Sequence, residues 1–286
     1  MLRRRTLNFA LISFSATLLA LSGTVHQARA SASGVAMPIG DMPGWHQVFA
    51  DDFTVNAALG SFGTSSARRI VYTGDHGGKW TTYPDGWGCY PYTHCYEPRQ
   101  VLSVHNGELD YWLHDCTDGK MCGADLVPQL PIGTNGALTP FLTYGRYTAR
   151  LRVSYGDSNH LSEIHLAWMF WPKNGSDRYC AESDYPETDL WKTSVQAWNH
   201  YGCTGSFQGF SVPIDWTTWH TFTQEWGPGY RRYYLDGKLI GTVTLDIYSK
   251  PEEFLMQVEA HDKRIAEKGH LLVDWVAEYT RCVSCV

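Results

Sequence analysis

The sequence has little positive charge, and beyond its first thirty residues it has no long hydrophobic run. Lys and Arg number 23 against 29 Asp and Glu, which gives a formal net charge of −6. Residues 1–30 contain four Arg and no acidic residue, so the remainder carries −10. A chain this acidic is poorly suited to a phosphate backbone, which argues against nucleic acid as a partner. No glycine-rich loop that cradles phosphate is present, so no nucleotide cofactor is expected.

Linkers, low-complexity tracts and repeats are also missing from Trp45 onwards. Only 18% of the residues are charged while 43% are hydrophobic, which excludes a disordered chain and predicts a packed core. At ~100–200 residues per domain, 286 residues allow one or two domains, and β-sandwiches of this length commonly form one. The 12 Trp and 17 Tyr suit a ligand with a flat apolar face such as a sugar, although a β-rich core also raises this number.

The first thirty residues have the pattern of a secretory signal peptide. Three consecutive Arg precede an apolar stretch at 7–21, and Ala28-Arg29-Ala30 follows as a small-residue cleavage site. The stretch is shorter and more polar than the ~20 apolar residues of a transmembrane helix, so an uncleaved anchor is disfavoured. Residues 4–7 loosely fit a twin-arginine signal, which leaves the export route open. We expect a signal peptide at 1–30, a short lead-in at 31–43, and a secreted domain at 44–286 with no membrane attachment.

All eight cysteines follow the expected signal peptide, and an even number in an exported chain implies disulfides. Eight cysteines allow about 105 connectivities. We predict nearest-neighbour pairing, because each bond would then close a local loop: Cys89–Cys95, Cys116–Cys122, Cys180–Cys203 and Cys282–Cys285. Zinc at Cys282-x-x-Cys285 is the alternative. It is disfavoured because there is no second Cys-x-x-Cys and the compartment is oxidising.

Short runs that alternate apolar and polar residues recur along the chain, separated by turn signals. They lie at 101–104, 109–113, 145–153, 221–226, 231–235, 238–243 and 271–279. Asn106-Gly107 and Asp236-Gly237 stand between such runs, and these dipeptides are typical of β-hairpins. No long segment has helical periodicity. The sequence therefore predicts an all-β protein built as an antiparallel sandwich or barrel.

Three acidic residues lie close together at Glu182, Asp184 and Glu187. On a strand, Glu182 and Asp184 face the same way, whereas Glu187 would face the opposite side. A β-bulge of one extra residue would return Glu187 to their face, and Pro186, which has no N–H, is tolerated at such a bulge. We therefore predict one stripe of three carboxylates.

This stripe is the arrangement that a retaining glycosidase needs. Two carboxyl groups about 5–5.5 Å apart let one attack the anomeric carbon while the other protonates the leaving oxygen. Crowded like charges cannot all ionise, so one of them is expected to hold a proton near neutral pH. The spacing alone is weak, because it should occur by chance about 0.3 times in a chain of this composition. A solvated acidic loop is one alternative, and a calcium loop is another that the lack of an internal Gly disfavours.

The segment Glu182–Glu187 resembles the E-x-D-x-x-E signature of glycoside hydrolase family 16, which includes laminarinases, lichenases, agarases and carrageenases. Similarity to family motifs continues in chain order over nearly all of residues 45–280. The segments concerned are Phe49–Phe53, Asn106–Leu109, Gly145–Tyr147, Trp168–Pro172, Trp219–Phe222, Glu225–Trp226, Tyr233–Gly237 and Val273–Val276. The resemblance implies a jelly roll of two antiparallel sheets with a concave substrate cleft. It implies Glu182 as nucleophile, Asp184 as supporting carboxylate and Glu187 as acid/base.

Two departures from the family pattern affect the entry to this segment. Ser183 stands where the family usually has an aliphatic residue, and Cys180-Ala181 replaces a Gly-bearing entry. We expect Ser183 to point between the sheets, so that it alters packing more than chemistry. Asp274 matches a position that binds a structural calcium ion in some relatives, although a single carboxylate is thin support for a metal site. No cofactor is expected for the chemistry itself.

Several aromatic residues are candidates for binding sugar rings. Trp168 and Trp171 precede the acidic stripe, and core packing is the alternative for each. The loop 83–96 is aromatic and polar, with Trp87 and Tyr90 as the candidates at a cleft rim. His200 stands where related enzymes often carry a His near the scissile bond, and a structural His is the alternative.

These features together predict a secreted, retaining endo-β-glycosidase that acts on a polysaccharide, either a β-glucan or a galactan, and is monomeric. A transglycosylase would use the same residues, because only the acceptor of the glycosyl group differs. A lectin-like binding module would have no need for crowded carboxylates. A polysaccharide lyase would abstract a proton with Tyr, His or Arg and would leave the three acids unexplained.

Overall fold

Strands account for most of the computed structural model, which describes residues 31–88, 95–116, 122–156, 161–162, 164–260 and 268–285. The expected signal peptide lies outside these residues. The strands are β1 (Trp45–Asp51), β2 (Tyr72–Thr73), β3 (Lys79–Thr81), β4 (Cys95–Tyr96), β5 (Leu102–His105), β6 (Glu108–Leu113), β7 (Cys122–Gly123), β8 (Val127–Gln129), β9 (Phe141–Leu142), β10 (Gly145–Tyr155), β11 (Ile164–Pro172), β12 (Ser183–Asp189), β13 (Ser194–Tyr201), β14 (Ser206–Pro213), β15 (His220–Gly227), β16 (Tyr230–Leu235), β17 (Lys238–Val243), β18 (Glu252–Ala260) and β19 (Gly269–Arg281). The helices are single turns: α1 (Pro98–Val101), α2 (Arg178–Ala181) and the 3₁₀ turns Thr134–Gly136 and Gly175–Asp177.

Two antiparallel sheets form the sandwich that the sequence predicts. The outer sheet has the order β17-β16-β15-β10-β19-β6-β5, with β1 also paired to β19. The cleft sheet has the order β14-β13-β12-β11-β18-β9. A small sheet of β2, β3 and β8 and a short parallel pair of β4 and β7 complete the described strands. The order of strands, with neighbours far apart in sequence, is that of a jelly roll.

Both predicted hairpin turns are confirmed. Asn106 and Gly107 have φ angles of 56° and 80° between β5 and β6, and Asp236 and Gly237 have φ angles of 49° and 76° between β16 and β17. Two successive positive φ angles match the right-handed twist of the flanking strands, and Asn-Gly and Asp-Gly adopt them at low cost. The dipeptides thereby fix the register of two strand pairs in the outer sheet.

The core lies between the two sheets and is strongly aromatic. Alternate residues of β11 point inward, so that Trp168 and Phe170 are fully buried. Phe170 packs against Trp226 of the outer sheet with ring centroids 5.7 Å apart. Full burial of a large apolar side chain stabilises the fold by roughly 1.5–3 kcal/mol.

One ion pair is also enclosed between the sheets. Arg231 of β16 is fully buried, and its Nη2 donates to both carboxylate oxygens of Glu252, at 2.7 and 2.6 Å. The same nitrogen donates to the carbonyl oxygen of Ala181 at 3.3 Å, and the guanidinium lies 4.7 Å from the ring centre of Trp226. Arg231 therefore ties the outer sheet to the single turn α2.

The lead-in 31–43 packs on the outer sheet. The indole Nε1 of Trp275 donates to the carbonyl oxygen of Val35 at 2.9 Å. The carboxylate of Asp274 accepts hydrogen bonds from the backbone N–H of Ala32 at 2.8 Å and from the hydroxyl of Ser33. Asp274 and Trp275 of β19 thus anchor the lead-in, whose composition predicts no regular structure.

Three of the four predicted disulfides are confirmed: Cys116–Cys122, Cys180–Cys203 and Cys282–Cys285. The fourth prediction includes Cys89, which lies outside the described residues. Because Cys282 and Cys285 are bonded to each other, they do not form the zinc site considered as the alternative. Among the described residues, no helix is both long and apolar enough to cross a membrane.

Candidate active site

The predicted β-bulge is present in β12. Asp184 pairs with Met169 of β11 and Glu187 pairs with Ala167, so three steps on β12 oppose two on its neighbour. On the other side, Asp184 pairs with Trp198 and Glu187 with Gln196 of β13, which repeats the irregularity. The extra residue turns Glu187 to the face shared by Asp184, as the sequence predicts.

Glu182 reaches the same face from the end of α2. Its backbone N–H donates to the carbonyl oxygen of Arg178 at 3.1 Å, which ends the helical turn. Its carbonyl oxygen accepts from the N–H of His200 at 2.9 Å, which joins this residue to β13. The backbone therefore enters the strand ladder at Glu182, one residue before β12 begins.

The three carboxylates line one open cleft of about 420 Å³ on the exposed face of the cleft sheet. The lining residues come from β11, β12, β13, β14 and β18 and from the segments beside them. They are His165, Ala167, Met169, Glu182, Asp184, Glu187, Lys192, Gln196, Trp198, His200, Phe207, Gln257 and Glu259.

Crowding and burial change the protonation of these acids. Burial, with the charges of Glu187 and Glu259, raises the pKa of Glu182 to about 7. Burial and the charges of Glu182 and Glu187 raise the pKa of Asp184 well above its usual range, against the attraction of Arg231. The site therefore retains a proton at neutral pH.

Ser183 points between the sheets, as predicted. Its hydroxyl lies 2.8 Å from the hydroxyl of Tyr233 and accepts from Nε2 of Gln224 at 2.6 Å. Both partners belong to the outer sheet, so Ser183 connects the two sheets directly behind the carboxylates.

Trp168 is not a stacking platform, and that prediction is wrong. Met169 lies opposite Asp184 and lines the cleft, so its neighbour Trp168 points into the core and packs edge-on to Phe254, with ring centroids 6.1 Å apart. Trp168 and Trp171 are three residues apart, and a regular strand cannot present both on one face. Trp171 is half-buried on the cleft side, next to the apolar patch that includes Met169.

Trp198 lies beside the carboxylates on the cleft side of the sheet, where we expected Trp168. It lies opposite Asp184, lines the cleft, and meets the ring of Phe207 edge-on with centroids 5.0 Å apart. A Cβ atom on Gly209 would lie 2.0 Å from the indole, so the absence of a side chain there makes room for the ring. The sequence held a signal for this residue, because Trp198 stands two residues before His200 and shares its face.

His200 lines the cleft as predicted. Its Nε2 lies 4.0 Å from a carboxylate oxygen of Asp184, and burial lowers its pKa. With a lowered pKa, His200 is neutral at pH 7. One ring nitrogen can then donate a hydrogen bond to a sugar hydroxyl, and the other can accept one from it.

Trp87 belongs to an aromatic cluster beside the cleft. It is 54% exposed and stacks on Tyr83, with ring centroids 5.8 Å apart. Tyr83 in turn meets Tyr96 edge-on at 5.0 Å, and the Tyr96 hydroxyl donates to Glu259 of the cleft at 2.9 Å. Tyr90, the other rim candidate, lies outside the described residues.

The side chain of His165 was missed by the sequence analysis. Its Nε2 lies 3.3 Å from Glu187 Oε1, and its Nδ1 lies 2.9 Å from Asp189 Oδ1. Burial lowers the pKa of His165, but hydrogen bonds with Glu187 and Asp189 outweigh it and raise the pKa to about 8. The sequence could have placed His165 on the cleft side of β11, because residues 165 and 171 share one face of a strand and Trp171 was a candidate for the cleft.

Within the described part of the chain, three groups of side chains bring possible metal ligands within 4.8 Å of one another. One is Glu182, Asp184 and His200 in the cleft, and another is Asp52, Asp75 and His76. The third includes Cys285, whose sulfur is held in a disulfide. Asp274, at a position that binds calcium in some relatives, has both carboxylate oxygens engaged by N–H and O–H donors of the lead-in.

The fold is that of known β-glucanase structures. A laminarinase catalytic domain from Thermotoga petrophila is 15% identical, with a TM-score of 0.61 over 84% of this chain and 99% of that one. A laminarinase from Rhodothermus marinus is 18% identical, with a TM-score of 0.61 over 85% and 100%. A non-specific endo-β-1,3(4)-glucanase of glycoside hydrolase family 16 is 15% identical, with a TM-score of 0.61 over 86% and 95%. A variant of that glucanase holds 1,3-β-D-cellobiosyl-glucose at its active site.

These similarities confirm the all-β jelly roll that the family resemblance implies. No protein-family profile matches the sequence, and no curated protein is similar to it in sequence.

Proposed function

We propose that this protein is a retaining endo-β-glycosidase that hydrolyses a β-glucan by double displacement. The observation that carries the proposal is the convergence of Glu182, Asp184 and Glu187 on one cleft through the bulge in β12. Known β-glucanases with this fold support β-glucan as the substrate class.

In the first step, ionised Glu182 attacks the anomeric carbon while Glu187 gives its proton to the departing glycosidic oxygen. In the second step, Glu187 takes a proton from water, and the water oxygen displaces Glu182 from the sugar. Asp184, whose pKa is raised, donates a hydrogen bond toward the nucleophile and holds the spare proton of the site.

The charge of the cleft favours a neutral polysaccharide. Among the residues that the structure describes, four carboxyl groups line the cleft, and Lys192 is the one Lys or Arg. A sulfated galactan would be repelled by this surface, because like charges in a cleft disfavour association. Trp198 and Trp171 provide apolar faces for sugar rings, which also suits an uncharged glucan.

We further propose that the protein is exported through the signal peptide 1–30 and acts outside the cell as a monomeric domain of residues 44–286. The three disulfides support an oxidising destination. Hydrolysis is the expected outcome, with transglycosylation differing only in the acceptor. A lectin-like module would bind the polysaccharide and release no product.

The test is incubation of the mature protein with a panel of neutral glucans and neutral or sulfated galactans, followed by product sizing. We expect short oligosaccharides from a β-glucan, and retained anomeric configuration in nuclear magnetic resonance spectra recorded before mutarotation. Glu182→Gln and Glu187→Gln should each lower kcat by at least about 100-fold. Glu108→Gln in the outer sheet is the control and should keep the parent rate.

The proposal fails if the parent degrades no polysaccharide, or if both cleft variants keep the parent rate. Binding of the glucan without any product would instead support the lectin-like module.

A further inference from the structure

His165 lies between two carboxylates on the cleft sheet. Its Nε2 faces Glu187 Oε1 at 3.3 Å and its Nδ1 faces Asp189 Oδ1 at 2.9 Å. Its side chain is 20% exposed, at the wall of the cleft. Glu187 and Asp189 are two residues apart on β12 and share the face of the sheet that His165 occupies, and the bulge places Asp184 on this face as well.

The far side of Asp189 is held by a cation. Asp189 Oδ2 lies 2.6 Å from Nζ of Lys192 in the turn that follows β12. Lys192, Asp189, His165 and Glu187 therefore form a line of alternating charge that ends at the acid/base carboxyl group. Glu259 of β18 pairs with His165 across the sheet and adds another negative charge beside it.

Against the effect of burial, hydrogen bonds with Glu187 and Asp189 raise the pKa of His165 to about 8. Hydrogen bonds with Lys192 and His165 likewise outweigh burial and lower the pKa of Asp189 to about 2. Asp189 therefore stays ionised beside the ring when Glu187 carries its proton. The imidazole is then protonated, and both its ring nitrogens are donors. Nε2–H donates to Oε1 of Glu187. An oxygen that already accepts a hydrogen bond from a cation is a poor place for a proton. The proton that Glu187 must deliver therefore belongs on Oε2.

We propose that His165 is a positioning residue that occupies Oε1 of Glu187 and directs the transferable proton to Oε2. This inference rests on the proposed function. As the glycosidic C–O bond breaks, the proton moves from Oε2 to the leaving oxygen, and Glu187 becomes a carboxylate beside the imidazolium. In the second step, Oε2 takes one proton from water while the bond to Oε1 persists.

The effect should depend on how much help the leaving group needs. A sugar or phenol departs only with proton transfer, whereas a dinitrophenolate departs without it. Loss of a group that orients the acid should therefore slow poor leaving groups and spare good ones. A general loss of structure or of substrate binding would slow all of them alike.

Two substitutions separate the two hydrogen bonds of His165. His165→Gln places an amide N–H near the position of Nε2 and keeps the donor to Glu187. His165→Asn places its amide near Nδ1, so that it keeps the contact with Asp189 and loses the one with Glu187. The Asn variant should lose activity, and the Gln variant should retain most of it.

The experiment measures kcat and KM on β-glucan and on aryl β-oligoglucosides with phenol or 2,4-dinitrophenol as leaving group. For His165→Asn we expect kcat/KM, which reports the first step alone, to fall about 10- to 100-fold on β-glucan and the phenyl substrate, and less than about threefold on the dinitrophenyl substrate. His165→Gln should lie within about threefold of the parent on all of them. His270→Gln is the matched control, since His270 makes the same kind of contact with Asp110 at 2.9 Å in the outer sheet.

The inference is overturned if His165→Asn slows every substrate equally, slows none, or behaves like His165→Gln. Because each variant is compared with a parent already shown to cleave β-glucan, these outcomes leave the proposed function standing. A parent that is inactive on all substrates overturns the proposed function, and with it this inference.

Discussion

Two regions of the interior each contain a fully buried glutamate and a nearby disulfide. The surroundings of the buried carboxyl group differ between the two regions. The first region, which we term the entry region, comprises α2, Arg231, Glu252 and the Cys180–Cys203 bond. The second, the terminal region, comprises the end of β19 with Glu278 and the Cys282–Cys285 bond. The entry region leads into β12, the strand of Asp184 and Glu187, whereas the terminal region lies in the outer sheet.

In the entry region, the buried carboxyl group has a charged partner. Burial raises the pKa of Glu252 to about 7, and the attraction of Arg231 limits this rise. In the terminal region, burial alone raises the pKa of Glu278 well above its usual range, and neither of its oxygens has a hydrogen-bond partner among the described residues. One glutamate is therefore compensated by an ion pair, and the other by keeping its proton.

The largest effect should follow from removing Arg231. Arg231→Met leaves Glu252 buried without its partner and takes the donor away from the carbonyl oxygen of Ala181. We expect the free energy of unfolding to fall by about 3–5 kcal/mol, measured by urea denaturation at pH 7. The double variant Arg231→Met with Glu252→Met should recover much of this stability, because an apolar pair of similar size has no charge to compensate.

Because Ala181 precedes Glu182, the proposed nucleophile, the double variant should also separate stability from activity. We expect it to remain less active than the parent even where its stability recovers. Full recovery of both would show that Arg231 does not position the entry to β12. A single variant as stable as the parent would contradict the compensation of Glu252 by Arg231.

The disulfides of the two regions should differ more in function than in stability. Cys180–Cys203 closes a loop with a sequence separation of 23, and Cys282–Cys285 one of 3. Loop closure predicts losses of about 3 and about 2 kcal/mol when each pair is replaced by Ser. Activity should fall several-fold only for the Cys180–Cys203 pair, because Cys180 lies two residues before Glu182. Steady-state kinetics at 25 °C test this, with the other pair as control, and equal losses of activity would contradict it.

Sequence reasoning recovered the fold and the acidic stripe because both depend on local signals. Turn dipeptides fixed the hairpins, and the spacing of Glu182, Asp184 and Glu187 required a bulge whichever strands were its neighbours. Local signals of this kind do not predict which side of a strand faces the cleft. Trp168 was misplaced because that choice depends on pairing with β12, and His165 was overlooked for the same reason.

Buried charges were equally hidden from the sequence. Arg231 and Glu252 are 21 residues apart on strands of different sheets, so their contact depends on how the sheets pack. Glu278 lies in an alternating run, and its orientation into the core depends on the register of β19 with β1 and β10. The pairing of strands and the packing of sheets, rather than residue type, determine which acidic side chains are buried.

The smallest effect, and the sharpest contrast between the regions, concerns the pH dependence of stability. The pKa of Glu278 is higher in the folded than in the unfolded protein, so its contribution is complete below the unfolded pKa near 4.5 and is lost as pH rises. Glu278→Gln mimics the protonated group and removes this loss. We expect the variant to gain stability over the parent by about 1 kcal/mol for each pH unit between pH 5 and pH 7, measured by urea denaturation. If the difference in unfolding free energy between the variant and the parent is constant with pH, Glu278 is ionised in the folded protein. The terminal region would then contain a buried charge without the charged partner that Glu252 has in the entry region.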